Sequence, residues 1–479
     1  MDRLPPEAGL LQSLSQAFTR PTGQRFIFLC IAVIVTLGRR TVSRLLWSGR
    51  SLCEGNPSSY HRFFSQARWS LWPLTRIVAA AVLACVPAGR AVVVAADDTV
   101  AQHRGEKVYG KGCHRDAIRS SWGHTVFKWG HKWVVLAVNV RLPLCRRDWA
   151  LPVMAALYVP PPKKGKKRKG RRSETRRSET RRPRSRRRQR RLKRHKTPSL
   201  LARQMLAVLM HWFPDRKFVL LGDGGFSSHD LAWFCHRHSD RVKLIGRLRG
   251  DANLHALATG PQRRGGRGRR QRKGRKLPGP RQAVSRANRW MPVPVRWYGN
   301  RTRRLQMLSA CAGWYRGRGN GRAGLVPIRW VFTHDPCQRR DDYFYSTDPS
   351  LSPAQILESF AGRWNLEVTF EEVRAHLGFE TTRMRCENSV KRAGAMLLGL
   401  FSVVSLIYRQ IANNPKGKVT IHGTPCYHKT DPTFADALAA VRTMLWQEVI
   451  LQHAPGGWLV TKLPISTRRL LLDHLAAAA

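Results

Sequence analysis

Three acidic residues stand where carboxylates could perform metal-dependent chemistry, in a chain that has few acids. The sequence holds 29 Asp and Glu among 479 residues, against 86 Lys and Arg. Asp97 and Asp223 each follow a strand-like run, at Ala91–Ala96 and Lys217–Leu221, and Glu367 lies in a long predicted helix. Carboxylate oxygens are preferred ligands of Mg²⁺, and a two-metal site clusters them around ions about 3.5–4 Å apart. These residues predict a divalent-metal site that acts on a phosphate backbone.

The positive charge of the chain predicts a polyanionic partner. The formal net charge is +57, and each Lys or Arg that docks on a phosphate releases a condensed counterion. An anionic membrane would attract the same charge, but the longest apolar segments, Phe26–Gly38 and Ile77–Ala88, fall short of the ~18–20 residues that span a bilayer. The first residues also lack the features of a signal peptide. We therefore expect nucleic acid as the partner, no membrane, and a cytoplasmic protein that is nucleoid-associated if bacterial.

The order of the predicted elements is that of the ribonuclease H-like fold. Residues 89–249 predict the order β-β-β-α-β-α-β, in a mixed α/β core. The strands are predicted at Ala91–Ala96, Lys132–Leu142, Trp149–Val159, Lys217–Leu221 and Val242–Arg249, and the helices at Ser199–Phe213 and Ser228–His238. In this fold the first and fourth strands are neighbours at the centre of the sheet. Asp97 and Asp223 should therefore meet at neighbouring strand ends.

Four regions flank or interrupt this core. Residues 1–88 predict a helical DNA-binding region, although an ordinary amphipathic bundle with a basic face would have the same pattern. Residues 250–350 predict a β-rich insertion with a basic loop, residues 351–415 the core helices that carry the glutamate, and residues 416–479 a C-terminal helical region. Together they make a ribonuclease H-like core with a helical N-terminal domain and a β-rich insertion.

Two low-complexity basic runs interrupt the predicted domains. Lys163–Lys196 contains 21 basic residues and two acids in 34 positions, and Arg263–Lys276 is rich in Gly and Arg. Such runs cannot bury apolar surface and should be disordered when free. We expect them to contact DNA without sequence preference, and the alternative is a solvated loop expanded by repeats.

The helix that carries Glu367 has clear start and stop signals. Ser352 and Pro353 form a cap and a first-turn proline, Gln355 completes a capping box, and Gly378 ends the helix after about 25 residues. Residues three, four and seven apart share one helix face. On one face lie Phe360, Arg363, Glu367, Glu371 and Arg374. Taken alone, Arg363 and Glu367 could be an ordinary surface ion pair.

These residues carry a family resemblance. The spacing Phe360-x2-Arg363-x3-Glu367-x6-Arg374 resembles the Y-x2-R-x3-E-x6-K signature of insertion-sequence DDE transposases with a β-rich insertion. Asp97-Asp98-Thr99 and Gly222–Phe226 are similar to the two aspartate blocks of that group, and the resemblance spans roughly residues 40–450. Phe360 replaces the usual Tyr and loses its hydroxyl, while Arg374 replaces Lys with a different geometry.

The resemblance implies an activity, a site and partners. Asp97, Asp223 and Glu367 would be the catalytic residues and would bind two Mg²⁺ ions, with Mn²⁺ as a possible substitute. Asp98 is the alternative to Asp97, because neighbouring strand residues point to opposite faces, and the family pattern D-x-S/T favours Asp97. Arg363 and Arg374 would contact DNA phosphates. The substrates would be the double-stranded ends of a mobile element and a target duplex, and the active complex would be a homodimer.

Two other functions remain open from the sequence. One is a non-catalytic DNA-binding relic of a transposase, and the other is a ribonuclease H-like nuclease that acts on RNA or on an RNA–DNA hybrid. Related enzymes can stack an unpaired base on an aromatic ring of the insertion, whereas core packing is the commoner role of such rings. The tryptophans in that region are Trp290, Trp297, Trp314 and Trp330.

Overall fold

The computed structural model describes most of the chain. The described residues are 4–116, 119–121, 123–161, 195–257, 274–297, 301–317, 324–337, 340–415, 419–423, 428–454 and 456–477. Both basic runs lie almost wholly outside them, since only residues 195–196 of the first and 274–276 of the second are described.

The N-terminal region is helical. Its helices are α1 (Gly9–Ser15), α2 (Arg20–Val35), α3 (Val42–Ser48), α4 (Pro57–Ser65) and α5 (Leu71–Leu83), with 3₁₀ turns at Pro6–Ala8 and Arg50–Leu52. Thr41, Asn56 and Ser70 each accept a hydrogen bond from a backbone N–H in the first turn of the helix that follows. These caps satisfy otherwise unpaired donors and explain where α3, α4 and α5 begin.

The central sheet has the ribonuclease H-like strand order, which confirms the predicted fold class. Its elements are β1 (Val92–Gln102), β2 (Gly112–Arg115), β3 (Phe127–Arg141), β4 (Asp148–Tyr158), α6 (Pro198–Trp212), β5 (Phe218–Gly222), α7 (His229–Arg237) and β6 (Val242–Arg247). The spatial order is β4-β3-β1-β5-β6. β5 runs parallel to β1 and β6, whereas β3 runs antiparallel to β1 and β4. β1 and β5 are therefore neighbours, and β2 adds a short hairpin to one end of β3.

The region after β6 extends the same sheet. Its elements are β7 (Leu254–His255), α8 (Pro280–Ser285), β8 (Met291–Arg296), β9 (Thr302–Arg316), β10 (Gly324–Asp335) and β11 (Arg340–Ser346). β11 pairs antiparallel with β6, and the resulting sheet has 11 strands among the described residues. A separate buried cluster that includes Leu221, Phe344 and Phe360 lies between this part of the sheet and the next helix.

The helices after the sheet differ from the prediction at one point. They are α9 (Pro353–Ala361), α10 (Trp364–Leu377), α11 (Glu387–Asn413), α12 (Phe434–Leu445), a π-helical turn at Trp446–Ile450, α13 (Leu451–His453), α14 (Gly457–Thr461) and α15 (Ile465–Ala477). The single helix predicted before Gly378 is two helices, broken at Gly362 and Arg363. The Gly362 carbonyl accepts a hydrogen bond from Asn139 Nδ2 at 2.9 Å, and the backbone tightens to three-residue spacing there. Glycine and an inserted side chain are common causes of such a break.

Helix α11 is the one helix of the described chain that is long and apolar enough to cross a membrane. Of its most apolar window, 72% is buried inside the protein, where it packs against β4, α5 and α12. Length and composition alone do not separate a membrane span from a core helix, and here the apolar surface is covered by the protein itself.

Buried arginines join the helical regions to the core. Arg392 donates to the carbonyls of Phe63, Phe64 and Trp69, and Arg442 Nε donates to the Ile34 carbonyl at 2.7 Å. The last carbonyls of a helix lack partners within it, so a guanidinium that reaches them satisfies them. Part of the large positive charge therefore holds the fold together.

Candidate active site

The sheet places Asp97 and Asp223 side by side. The parallel register pairs Ala96 of β1 with Gly222 of β5, so the two aspartates come next on neighbouring strands, which lie about 4.8 Å apart. The predicted strand end at Ala96 is wrong, because β1 continues to Gln102 against β3. Its pairing with β5, however, does end at Ala96, so no β5 residue is paired with Asp97.

Asp223 is held by its own turn. Its Oδ1 accepts hydrogen bonds from the backbone N–H of Gly225 at 2.9 Å and of Phe226 at 3.2 Å, a turn that aspartate side chains favour. A Cβ at Gly222 would lie 2.5 Å from the Phe226 carbonyl oxygen. Glycine is therefore required before Asp223 to let the turn fold back so closely.

Arg363 connects Glu367 to Asp97 through two ion pairs. Its Nη1 donates to Asp97 Oδ2 at 2.5 Å and its Nη2 donates to Glu367 Oε1 at 2.6 Å. Burial lowers the pKa of Arg363, but the charges of Asp97, Glu367 and Asp223 outweigh this effect and leave the pKa raised. The guanidinium is only 8% exposed. Two of the three predicted carboxylates, Asp97 and Glu367, are thus bound to one buried cation, and Asp223 interacts with it through its charge.

The site disfavours the negative charge of Asp97. Burial, together with the charges of Asp223 and Asp98, raises its pKa to about 7, although Arg363 and the backbone N–H of Asp98 act in the opposite direction. A pKa in this range means that the ionised form needs more positive charge than Arg363 alone supplies.

Asp98 faces a different partner. Its Oδ2 accepts from Lys132 Nζ at 2.5 Å, and its side chain is about a quarter exposed. Burial raises the pKa of Asp98, and Lys132 lowers it. Of the two aspartates, Asp97 is the one that shares Arg363 with Glu367. Successive side chains of a strand point to opposite faces, so Asp97 and Asp98 meet different partners.

Arg374 lies at the edge of the same site. It donates to the Thr99 hydroxyl, and its Nε lies 3.5 Å from Glu380 Oε1. Glu380 also accepts from Lys128 Nζ at 3.2 Å and from the Gln102 backbone N–H at 2.9 Å. Arg374 is half-buried and Arg363 buried, so in this state both predicted phosphate contacts are engaged with the protein.

The donor set fits a hard divalent cation in its chemistry. Asp97 and Glu367 share Arg363, and Asp223 acts on both Asp97 and Arg363 through its charge. Further positive charge there would stabilise the ionised form of Asp97. Across the described residues, no group of three or more His, Cys, Asp or Glu is already arranged to hold a metal ion. Arg363 stands between Asp97 and Glu367, where such an ion would have to bind.

The residue that replaces the signature tyrosine has a packing role. Phe360 is fully buried, with its ring centroid 4.8 Å from that of Phe344. The Arg363 guanidinium lies 5.7 Å from the Phe360 ring centroid, a geometry in which the ring face attracts the cation. Phe360 therefore contacts Arg363 through its ring face, a contact that does not need the hydroxyl of tyrosine.

The four tryptophans of the insertion pack against neighbouring side chains. Trp330 is 4% exposed, and the rings of Trp290, Trp297 and Trp314 contact Phe332, Phe344 and Tyr345. These contacts favour the core-packing interpretation of the sequence.

Sequence reasoning missed three residues that shape the site. Lys132 neutralises Asp98, Asn139 holds the break before Arg363, and Glu380 positions Arg374. Lys132 and Asn139 lie seven positions apart on one predicted strand, and the pairing of β3 with β1 brings them near the acids. Glu380 has no signal in the sequence beyond its place after the glycine that ends α10.

The strand order of the central sheet defines a ribonuclease H-like fold, with Asp97 on β1 and Asp223 directly after the neighbouring strand β5. The family model described as "DDE superfamily endonuclease" matches residues 13–307, which is more than half of the chain, and the chain belongs to this family. The matched part contains Asp97 and Asp223 and ends before Glu367.

Two further comparisons are more distant. No curated protein matches the chain in sequence. Among solved structures, the chain is similar to the piggyBac transposase in a cryo-EM synaptic complex with hairpin DNA, at 10% identity, over 97% of this chain and 80% of that one, with a TM-score of 0.39. A likeness of this size is too distant to support a functional argument.

Proposed function

We propose that this protein is a transposase of the insertion-sequence type, which cuts duplex DNA at the ends of its element and joins the freed 3′-hydroxyls to a target duplex. The observation that carries the proposal is that Arg363 pairs with both Asp97 and Glu367, while the β1–β5 register brings Asp223 next to Asp97 in a ribonuclease H-like sheet. The spacing of the α9–α10 motif supports the insertion-sequence group.

The carboxylates would hold two Mg²⁺ ions, or Mn²⁺, which when bound would activate the attacking oxygen and stabilise the leaving oxygen of the phosphodiester. Arg363 pairs with both Asp97 and Glu367 and holds them together. Arg374, which now pairs with Glu380, would leave this partner and bind a phosphate beside the cut. Cutting both ends of an element requires two active sites, and we propose a homodimer for this reason.

The test of this function is cleavage of a supercoiled plasmid that carries the inverted repeats flanking the coding region. We expect nicking at the repeat ends that requires Mg²⁺ or Mn²⁺ and stops with a chelator, because the acids alone cannot neutralise the developing charge. A plasmid without the repeats is the control. A purified, folded protein that binds the repeats but cuts neither plasmid would contradict the proposal, as would preferential cutting of an RNA–DNA hybrid.

We expect deletion of Lys163–Lys196 to weaken binding to all duplexes about equally. Its 21 basic residues can neutralise phosphates, and contacts to phosphates carry no sequence information. The slope of log affinity against log salt should become shallower by about 0.9 for each lost phosphate contact. An unchanged slope would show that the run does not touch DNA, and loss of preference for the element ends would show a role in recognition.

A further inference from the structure

Two aromatic rings project from the outer face of the β2–β3 hairpin. Phe127 is 62% exposed and Trp129 is 52% exposed, and they are two residues apart, so both point to the same face of β3. The register places Arg115 and Cys113 of β2 opposite them, and both of these residues are also exposed. Large rings left in water without a partner are costly and mark binding surfaces when they cluster.

Positive charge is fixed beside these rings. Lys111 Nζ lies 5.5 Å from the centroid of the Trp129 ring, held there by the carbonyls of Gly105 at 2.6 Å and Arg104 at 3.3 Å. The rings line a groove of about 620 Å³ together with Arg104, Lys111 and Lys128. Aromatic faces interleaved with cations along a groove are the surface that single-stranded nucleic acid binds, because bases stack on rings and phosphates meet the charges.

The hairpin is connected directly to the candidate active site. Lys128 lies between Phe127 and Trp129 in the sequence, and it donates a hydrogen bond to Glu380, which contacts Arg374. Gln102 lies five positions after Asp97 along β1, a distance of about 17 Å, and it pairs with Gly130, next to Trp129. The rings are therefore within reach of a strand of a few nucleotides that leaves the carboxylates.

We propose that the outer face of the β2–β3 hairpin binds single-stranded DNA, with one base stacked on Trp129, a second on Phe127, and their phosphates near Lys111 and Arg115. The biological role of this surface rests on the proposed function. In that role it would hold the strand that separates from the duplex next to the cut. The insertion tryptophans, which are packed inward, are not part of it.

The experiment compares two oligomers of equal length, one of thymidines and one of abasic deoxyribose units. Both present the same phosphates, so the ratio of their affinities, measured by fluorescence anisotropy, isolates the contribution of the bases. The full-length protein should prefer the thymidine oligomer. Trp129→Ala should reduce the ratio about tenfold, Trp129→Ala with Phe127→Ala should bring it close to one, and Trp129→Phe should retain most of it.

Trp458→Ala is the matched control. Trp458 is 58% exposed and has Lys462 Nζ at 4.5 Å from its ring centroid, but it lies in α14, outside the groove. Its replacement should leave the ratio unchanged. An unchanged ratio in the double variant, with an unchanged melting temperature, would overturn the proposal. Equal loss of affinity for both oligomers would overturn it too, and stronger binding of an oligouridine would assign the surface to RNA instead.

The outcome is separable from that of the proposed function. A protein that nicks the element ends but shows no base-dependent binding at the hairpin loses only this surface. A protein that shows the base-dependent ratio and its loss in Trp129→Ala, yet cuts no DNA, keeps the surface and loses the transposase assignment.

Discussion

Glu367→Gln should reduce metal-dependent cleavage at the element ends by at least about a thousandfold while leaving DNA affinity nearly unchanged. Glutamine keeps the size of the side chain and can still accept a hydrogen bond from Arg363, but it supplies no charge to a divalent ion. A ligand to a metal that stabilises developing charge contributes several kcal/mol to the transition state, and about 1.4 kcal/mol corresponds to a tenfold change in rate. Single-turnover cleavage and filter binding of the same labelled duplex measure the two quantities.

Glu371→Gln is the matched control for this variant. Glu371 lies one turn further along α10 and is exposed, so the same chemical change should leave cleavage at the wild-type level. Cleavage by a folded Glu367→Gln protein at a rate near that of the Glu371→Gln protein would show that Glu367 is not a ligand and that its pairing with Arg363 is structural.

Arg363→Met should destabilise the protein and make its stability depend on divalent cations. Arg363 is buried between Asp97 and Glu367, and removal of one partner of a buried pair costs about 3 kcal/mol or more, because the remaining charge has no compensation. With the guanidinium gone, Mg²⁺ or Mn²⁺ becomes the cation available to these acids, and binding to the folded state raises stability by mass action. Melting temperatures with and without the ion should therefore differ much more in the variant than in the wild type.

Arg303→Met provides the comparison. Arg303 pairs with Asp335 at 2.8 Å in the insertion, where Asp335 is largely buried, so its loss should lower the melting temperature without any new response to metal. If Arg363→Met and Arg303→Met respond to Mn²⁺ alike, the acids near Arg363 do not form a cation site.

The features of the site that the sequence predicts are those set by residues close together along the chain. The sequence predicts that the helical region begins at the capping box of Ser352 and ends at Gly378. The structure has its first and last helical turns at these positions, and Gly378 is left-handed. The four-residue spacing of Arg363 and Glu367 predicts a shared helix face, and the two side chains are paired. The break at Gly362 was not predictable, because it depends on Asn139 from a strand more than 200 residues earlier.

The sequence by itself predicted the order of the core elements along the chain and the DDE superfamily, since periodicity, caps and motif spacing depend on neighbours along the chain. Only the tertiary structure decided what each charge and ring does. Arg363 turns inward to the acids, Arg442 holds a helix end, and Trp129 faces solvent while Trp330 is buried. The physical reason is that burial and pairing are set by strand register and by contacts between distant segments, and the same residue type serves in either environment.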